Sequence, residues 1–181
     1  MNCWRTINIA KQYGSQRLFI LSSLTMLFSF IILYVPVTYL TELPLKSNYF
    51  FLLLLSIFFL YPIHKLFHYL PIAHLGERVN KSFEMYGSIL PIIHIRVHEP
   101  IRKWTFLLAL FFPFIIIGLL ISFGFIFFPN YSHYFTILLS FHIGLCVSDF
   151  IRAKNILFAP NHSFIEENDE GFEILVFKSV S

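Results

Sequence analysis

Two histidines four residues apart, His64 and His68, lie in the run His64-Lys65-Leu66-Phe67-His68, inside an apolar stretch that begins near Tyr49. On a helix this spacing puts both imidazoles on one face, one turn apart, as two nitrogens must be to share a tetrahedral zinc ion. A His-x-x-x-His pair serves hydrolysis when glutamate follows the first histidine, because that carboxylate takes a proton from water. Lys65 occupies this slot. The spacing is that of a metal site, and the residue between is not that of a catalyst.

A second polar group lies further along the chain. His142, Cys146 and Asp149 fall at i, i+4 and i+7, on one face of a helix. An ionisable side chain inside a membrane costs at least ~2.5 kcal/mol for Asp or Lys at mid-bilayer, so each needs a partner or water.

The elements that must position these residues are apolar helices. Of 181 residues 57% are hydrophobic, 24 of them phenylalanine, and the mean hydropathy is +0.72. Such a chain has too little polar surface to cover a soluble globule of its size. Spanning about 30 Å of hydrocarbon takes roughly 20 apolar residues. Four segments meet that length, at about Leu18 to Leu40, Tyr49 to Leu70, Trp104 to Phe128 and His133 to Phe150. Their continuous rather than alternating pattern favours helices over a barrel. Pro36, Pro62 and Pro113 are expected to kink three of them. The reading is an all-α membrane protein with four transmembrane helices and a small cytoplasmic β element in the central loop and tail. It divides into an N-terminal arm (1–17), a membrane region (18–153) and a tail (154–181).

Basic residues set the orientation. Arg5, Lys11 and Arg17 precede the first span, Arg78, Lys81, Arg96, Arg102 and Lys103 lie in the central loop, and Arg152, Lys154 and Lys178 follow the last span, against Lys46 alone in the other loops. The bias predicts both termini and the central loop in the cytoplasm of a multi-pass cell-membrane protein. The net charge of +3 serves topology and lipid contact, and no stripe of Lys and Arg with interleaved aromatics points to nucleic acid. Cys3 and Cys146 are too few and too far apart for a disulfide framework. Alternation from Ile93 to His98 predicts a strand near the membrane surface. Ser163 to Glu166 and Phe172 to Phe177, flanking Asn168-Asp169-Glu170-Gly171, predict a hairpin in the tail.

Depth brings the two polar groups to one level. His64 lies 15 residues after Tyr49 and Asp149 lies 16 after His133, which is roughly 22 to 24 Å below the outer end of each span at 1.5 Å per residue. If these spans are neighbours, His64, His68 and Asp149 supply two nitrogens and one oxygen and leave a fourth position open, with His142 nearby as an orienting group or fourth ligand. The competing reading is interfacial: histidines facing headgroups, Lys65 snorkelling, and Asp149 paired with Arg152 at i+3. His94 and His98 repeat the four-residue spacing, but on a strand and before Glu99-Pro100 they do not make a second site.

From Tyr49 to about Lys178 the chain resembles a bacterial family of small multi-span membrane proteins of zincin-peptidase type, which look like minimal relatives of the site-2 proteases. The resemblance rests on His64-x-x-x-His68 late in a span, Glu99-Pro100 before the third, Phe112-Pro113-Phe114 within it, His142-Ile143-Gly144-Leu145-Cys146-Val147-Ser148-Asp149, and the acidic hairpin ending in Gly171-Phe172. It implies zinc held by His64, His68 and Asp149. It also marks Lys65 as the departure, since the family pattern has glutamate there. An ammonium donates only and repels a dipositive ion, whereas a carboxylate accepts a proton.

Three functions compete. The first is a catalytically impaired zincin that binds a membrane protein or peptide. The second is an active intramembrane peptidase with a displaced base, for which Glu99 is the nearby carboxylate. The third is a metal-free proton or ion relay or a structural membrane protein, against which the lack of repeated halves counts.

Overall fold

The computed structural model describes residues 2–40, 44–86, 90–97, 99–168 and 171–177. In chain order the elements are β1 (Asn2–Ile7), α1 (Ile9–Tyr13), α2 (Ser15–Leu40), α3 (Phe50–Tyr69), a 3-10 segment (Leu70–Arg78), β2 (Val79–Tyr86), β3 (Leu90–Val97), β4 (Ile101–Arg102), α4 (Lys103–Phe127), α5 (Ser132–Leu145), α6 (Val147–Leu157), β5 (Phe164–Asn168) and β6 (Gly171–Val176).

Among the described residues three helices are long and apolar enough to cross a membrane, and a fourth span exists if α5, with the turn before it, and α6 count as one broken span, bent by 42°. The expectation of one continuous helix from His133 to Phe150 is thus corrected: the helix stops at Leu145 and restarts at Val147. The ladder is not lost at the break, because the Cys146 N–H still donates to His142 O at 3.1 Å and the Phe150 N–H to Cys146 O at 3.0 Å. Pro36, Pro62 and Pro113 all lie inside assigned helices.

Burial along the helices is inverted relative to a water-soluble bundle. Phe19, Phe51, Ile126 and Phe127 are 70% or more exposed, while Ile156, Ile165 and Ile174 are fully buried. Apolar surface on this scale is not presented to water by soluble monomers. It is consistent with a membrane protein.

The buried apolar cluster lies where the sheet meets the helices. Ile7, Ile101, Ile165, Phe172 and Ile174 pack with Phe106, Leu110 and Ile156. The sheet has the order β1-β6-β5-β4, antiparallel throughout, with Ile7 opposite Phe172 and Ile101 opposite Ile165. The tail hairpin of the sequence is present, although Asp169 and Glu170 in its turn are outside the described residues. The N-terminal arm contributes β1 as an edge strand of this sheet, an addition to the β element expected from the central loop and tail. Gly171 permits the pairing: its φ is +155, and a Cβ there would sit 2.1 Å from Ile7 O. A separate hairpin pairs β2 with β3, Val79 opposite Val97. β3 is the strand expected in the central loop, and Ser88, Ile89 and His98 at its edges are outside the described residues.

Close helix contacts are made by two glycines. A Cβ at Gly144 would lie 3.0 Å from Met26 Cβ and 3.1 Å from Ser22 O, so α2 crosses α5 where there is no side chain. A Cβ at Gly124 would enter the Phe135 ring.

Lys103, read from sequence as a topology charge, is 2% exposed. Its Nζ donates to Leu157 O at 3.0 Å and Ala159 O at 2.6 Å. Leu157 O ends α6 and Ala159 O lies two residues beyond it, so a cation there satisfies both and faces the negative end of the helix dipole. The same residue's backbone N–H bonds Ser163 O, tying α4, α6 and the start of β5 together. We predict that Lys103→Met lowers stability by ~2–3 kcal/mol, the cost of leaving two buried carbonyls unpaired. Denaturant unfolding of the detergent-purified protein measures this, and an unchanged midpoint would contradict the clamp.

Candidate metal centre

α3 carries His64 and His68 on one face, 5 residues inclusive and one turn apart. Asp149 is the third residue of α6 and follows the bend at Cys146 by three residues. It meets the two histidines of α3. His64 Nε2 lies 3.0 Å from Asp149 Oδ2, His68 Nε2 3.1 Å from His64 Nε2, and His68 Nε2 3.3 Å from Asp149 Oδ2. These three atoms form a nearly equilateral triangle. A tetrahedral zinc ion with bonds of about 2.0–2.2 Å holds its donors about 3.3–3.5 Å apart, so the triangle needs only a few tenths of an ångström of expansion.

Proton counting argues that the set suits a cation. His68 Nδ1 lies 2.8 Å from Ala109 O. A carbonyl only accepts, so Nδ1 carries the hydrogen and Nε2 of the neutral ring presents a lone pair. That lone pair faces an Asp149 oxygen that also only accepts when ionised. One proton on His64 Nε2 can satisfy one edge of the triangle well, whereas an ion at its centre satisfies all three donors.

Ala109 O is available for a reason encoded in the sequence. Its helical donor would be the N–H of residue 113, and Pro113 has none. The proline thereby frees a carbonyl on α4 that fixes the ring of His68, a role the sequence reading, which saw a kink, did not assign. Its neighbours pack around the same residues: Phe112 stacks on Phe67 with ring centroids 6.0 Å apart, and Phe114 on His142 at 6.4 Å.

His142, in the last turn of α5, is fully buried, with Nε2 3.4 Å from His64 Nδ1 and 3.6 Å from Cys146 Sγ. It therefore stands on the far side of the His64 ring from Asp149. Its own Nδ1 has no hydrogen-bond partner, so nothing on that side fixes which nitrogen holds the proton.

Lys65 lines a cleft of about 370 Å³ with His64 and Asp149; α2 contributes Phe19, Ser22 and Met26 to its wall. The Lys65 Nζ lies 6.0 Å from the centroid of the Tyr61 ring, and no carboxylate among the described residues forms an ion pair with it. The Asp149–Arg152 pair of the interfacial alternative is not made: Arg152 pairs with Glu167 at 3.8 Å, and Asp149 and His64 face each other at 5% and 3% exposure. Glu99 is exposed before β4 and does not line the cleft. The side chains of His94 and His98 fall outside what is described.

Residues 57–164, which contain His64, His68, Pro113, His142 and Asp149, match the sequence profile of a family described as "Putative zincin peptidase". The chain belongs to that family. A zincin suggests zinc, and the donor set just described has the number, type and spacing of ligands that zinc takes. No match was found among curated proteins or among solved structures.

If the triangle is a zinc face, the purified protein will carry about one zinc per chain, and His64→Ala and Asp149→Asn will abolish it by elemental analysis. Pro113→Ala and His142→Ala, which remove orienting groups rather than ligands, will weaken affinity ~10- to 100-fold in competition titrations with a chelator. Equal affinity in the Pro113 variant would show that the freed carbonyl does not hold His68.

Proposed function

We propose that the protein is a zincin-like integral membrane protein in which His64, His68 and Asp149 hold zinc, and in which Lys65 has removed peptidase chemistry and left binding of a membrane partner. The observation that carries this reading is the three-donor triangle beside a cleft whose wall includes Lys65. Zinc, when bound, supplies a Lewis acid that polarises a carbonyl and acidifies water. What this chain's own residues supply is less than a peptidase needs. Asp149 offsets one of the two positive charges of the ion, Ala109 O and His142 orient the two imidazoles, and the apolar wall excludes bulk water. Among the described residues that line the cleft Asp149 is the only carboxylate, and as a ligand it is not free to take a proton. Lys65 in its charged form donates and cannot accept. Glu99 as a displaced base has no support from its position.

The cleft is apolar with hydroxyls from Ser22, Ser23, Tyr61 and Ser148. This lining suits a membrane-embedded peptide segment of another protein, which the Lys65 ammonium would meet with a donor. The distribution of basic residues supports placing both termini and the sheet in the cytoplasm of a cell-membrane protein. Reporter fusions after Ser181 and within the loop near Ser47 test this: the first should report inside and the second outside, and the reverse would overturn the orientation.

The experiment that tests impaired catalysis is Lys65→Glu. Restoring a carboxylate at the base position should raise cleavage of a membrane-peptide panel by ~10²-fold or more over the wild type. Equal cleavage by both would show that the base lies elsewhere.

A further inference from the structure

The His64 ring belongs to two donor sets at once. On its Nε2 side stand His68 and Asp149. On its Nδ1 side stands His142 Nε2, at 3.4 Å, and Cys146 Sγ lies 3.6 Å from that same His142 nitrogen. One ring nitrogen of each histidine and the Cys146 sulfur lie within 4.8 Å of one another. Two imidazoles at about 2.0–2.1 Å and a thiolate at about 2.3 Å place their donors about 3.4–3.8 Å apart, for trigonal to tetrahedral angles. The two measured separations fall in that range. The register follows from the chain: Cys146 is four residues after His142, and its N–H is bonded to His142 O, so thiol and imidazole share a face just where the helix bends.

We infer that His64 Nδ1, His142 Nε2 and Cys146 Sγ form a second metal site, for a monovalent thiophilic ion of the Cu(I) class, alternative to the first. The preference for a soft ion comes from the thiolate, and two imidazoles suit copper equally well. His142 and Cys146 are 0% and 1% exposed and neither lines the cleft, so water does not reach them to complete a fourth position; zinc is almost always four-coordinate, whereas Cu(I) accepts three ligands. Binding breaks the Cys146 S–H bond, forms the S–metal bond and releases the proton.

The first site then changes role. With a metal on Nδ1, His64 carries its hydrogen on Nε2 and donates it to Asp149 Oδ2, the 3.0 Å contact already present. This is the carboxylate–histidine–metal arrangement that orients ligating imidazoles. A neutral imidazole has one lone pair, so the two sites exclude each other: the soft ion on Nδ1 takes from zinc one of its three ligands. The exclusion rests on the zinc reading proposed above, whereas the second donor set does not.

The test uses the full chain in detergent, in a Cys3→Ser background that removes the exposed thiol, with Cu(I) added anaerobically as the probe. One Cu(I) per chain is expected, with a sulfur neighbour at about 2.3 Å by X-ray absorption. Cys146→Ser should lose that neighbour and weaken Cu(I) binding at least tenfold while still binding zinc. His68→Ala should lose zinc and keep Cu(I). Zinc-loaded protein should release its zinc as Cu(I) binds. Copper without a sulfur neighbour, or equal Cu(I) affinity in Cys146→Ser, would overturn the second site. Zinc retained alongside sulfur-bound Cu(I) would overturn the exclusion. A protein that takes Cu(I) through Cys146 but no zinc would instead refute the zinc reading and leave the second site standing.

Discussion

Three side chains that water would otherwise solvate, His64, His68 and Asp149, face one another in the interior of an apolar helical bundle. The rest of the structure is arranged around that constraint. A carboxylate and two imidazoles in an apolar bundle are tolerable only if they satisfy each other or share a cation. Their mutual distances of 3.0 to 3.3 Å leave room for one ion and for little else.

Each neighbouring element contributes something specific to holding that cluster. α3 provides the one-turn spacing. The bend at Cys146 comes just before Asp149, which meets His64 and His68 of α3. Pro113 withholds an N–H so that Ala109 O can fix His68, and Gly144 lets α2 come close enough to wall the cleft. Lys103 secures the other end of α6 through Leu157 O and Ala159 O. The sheet of β1, β6, β5 and β4 holds that end in place. Lys65 stands out because it obeys none of this logic of mutual satisfaction. It lines the cleft with an aromatic ring for company and forms no ion pair among the described residues.

The features legible in the sequence were those carried by long runs or fixed spacings. Twenty-residue apolar stretches announce helices, the four-residue interval announces a shared face, and counting from the outer ends puts His64 and Asp149 at one depth. What escaped depends on context that a run does not encode. No proline or glycine stands at Cys146 to mark the break in α5 and α6, and the i, i+4, i+7 face expected of His142, Cys146 and Asp149 splits there between the two sides of His64. Asn2 to Ile7, mixed in polarity, reads as an arm until Gly171 offers Ile7 a bare backbone to pair with. Lys103 looks like one more flanking charge, because the carbonyls it satisfies are more than fifty residues away. Pro113 reads as a kink, since the consequence of its missing N–H is felt on another helix.

A metal ion on the triangle of His64 Nε2, His68 Nε2 and Asp149 Oδ2 is what the proposed function stands on. It can be sought in an anomalous-difference map at the zinc absorption edge from crystals of the purified protein. A single strong peak is expected within about 2.0–2.2 Å of all three atoms. A map with no peak there after zinc soaking, and with Asp149 turned away toward Arg152, would contradict it.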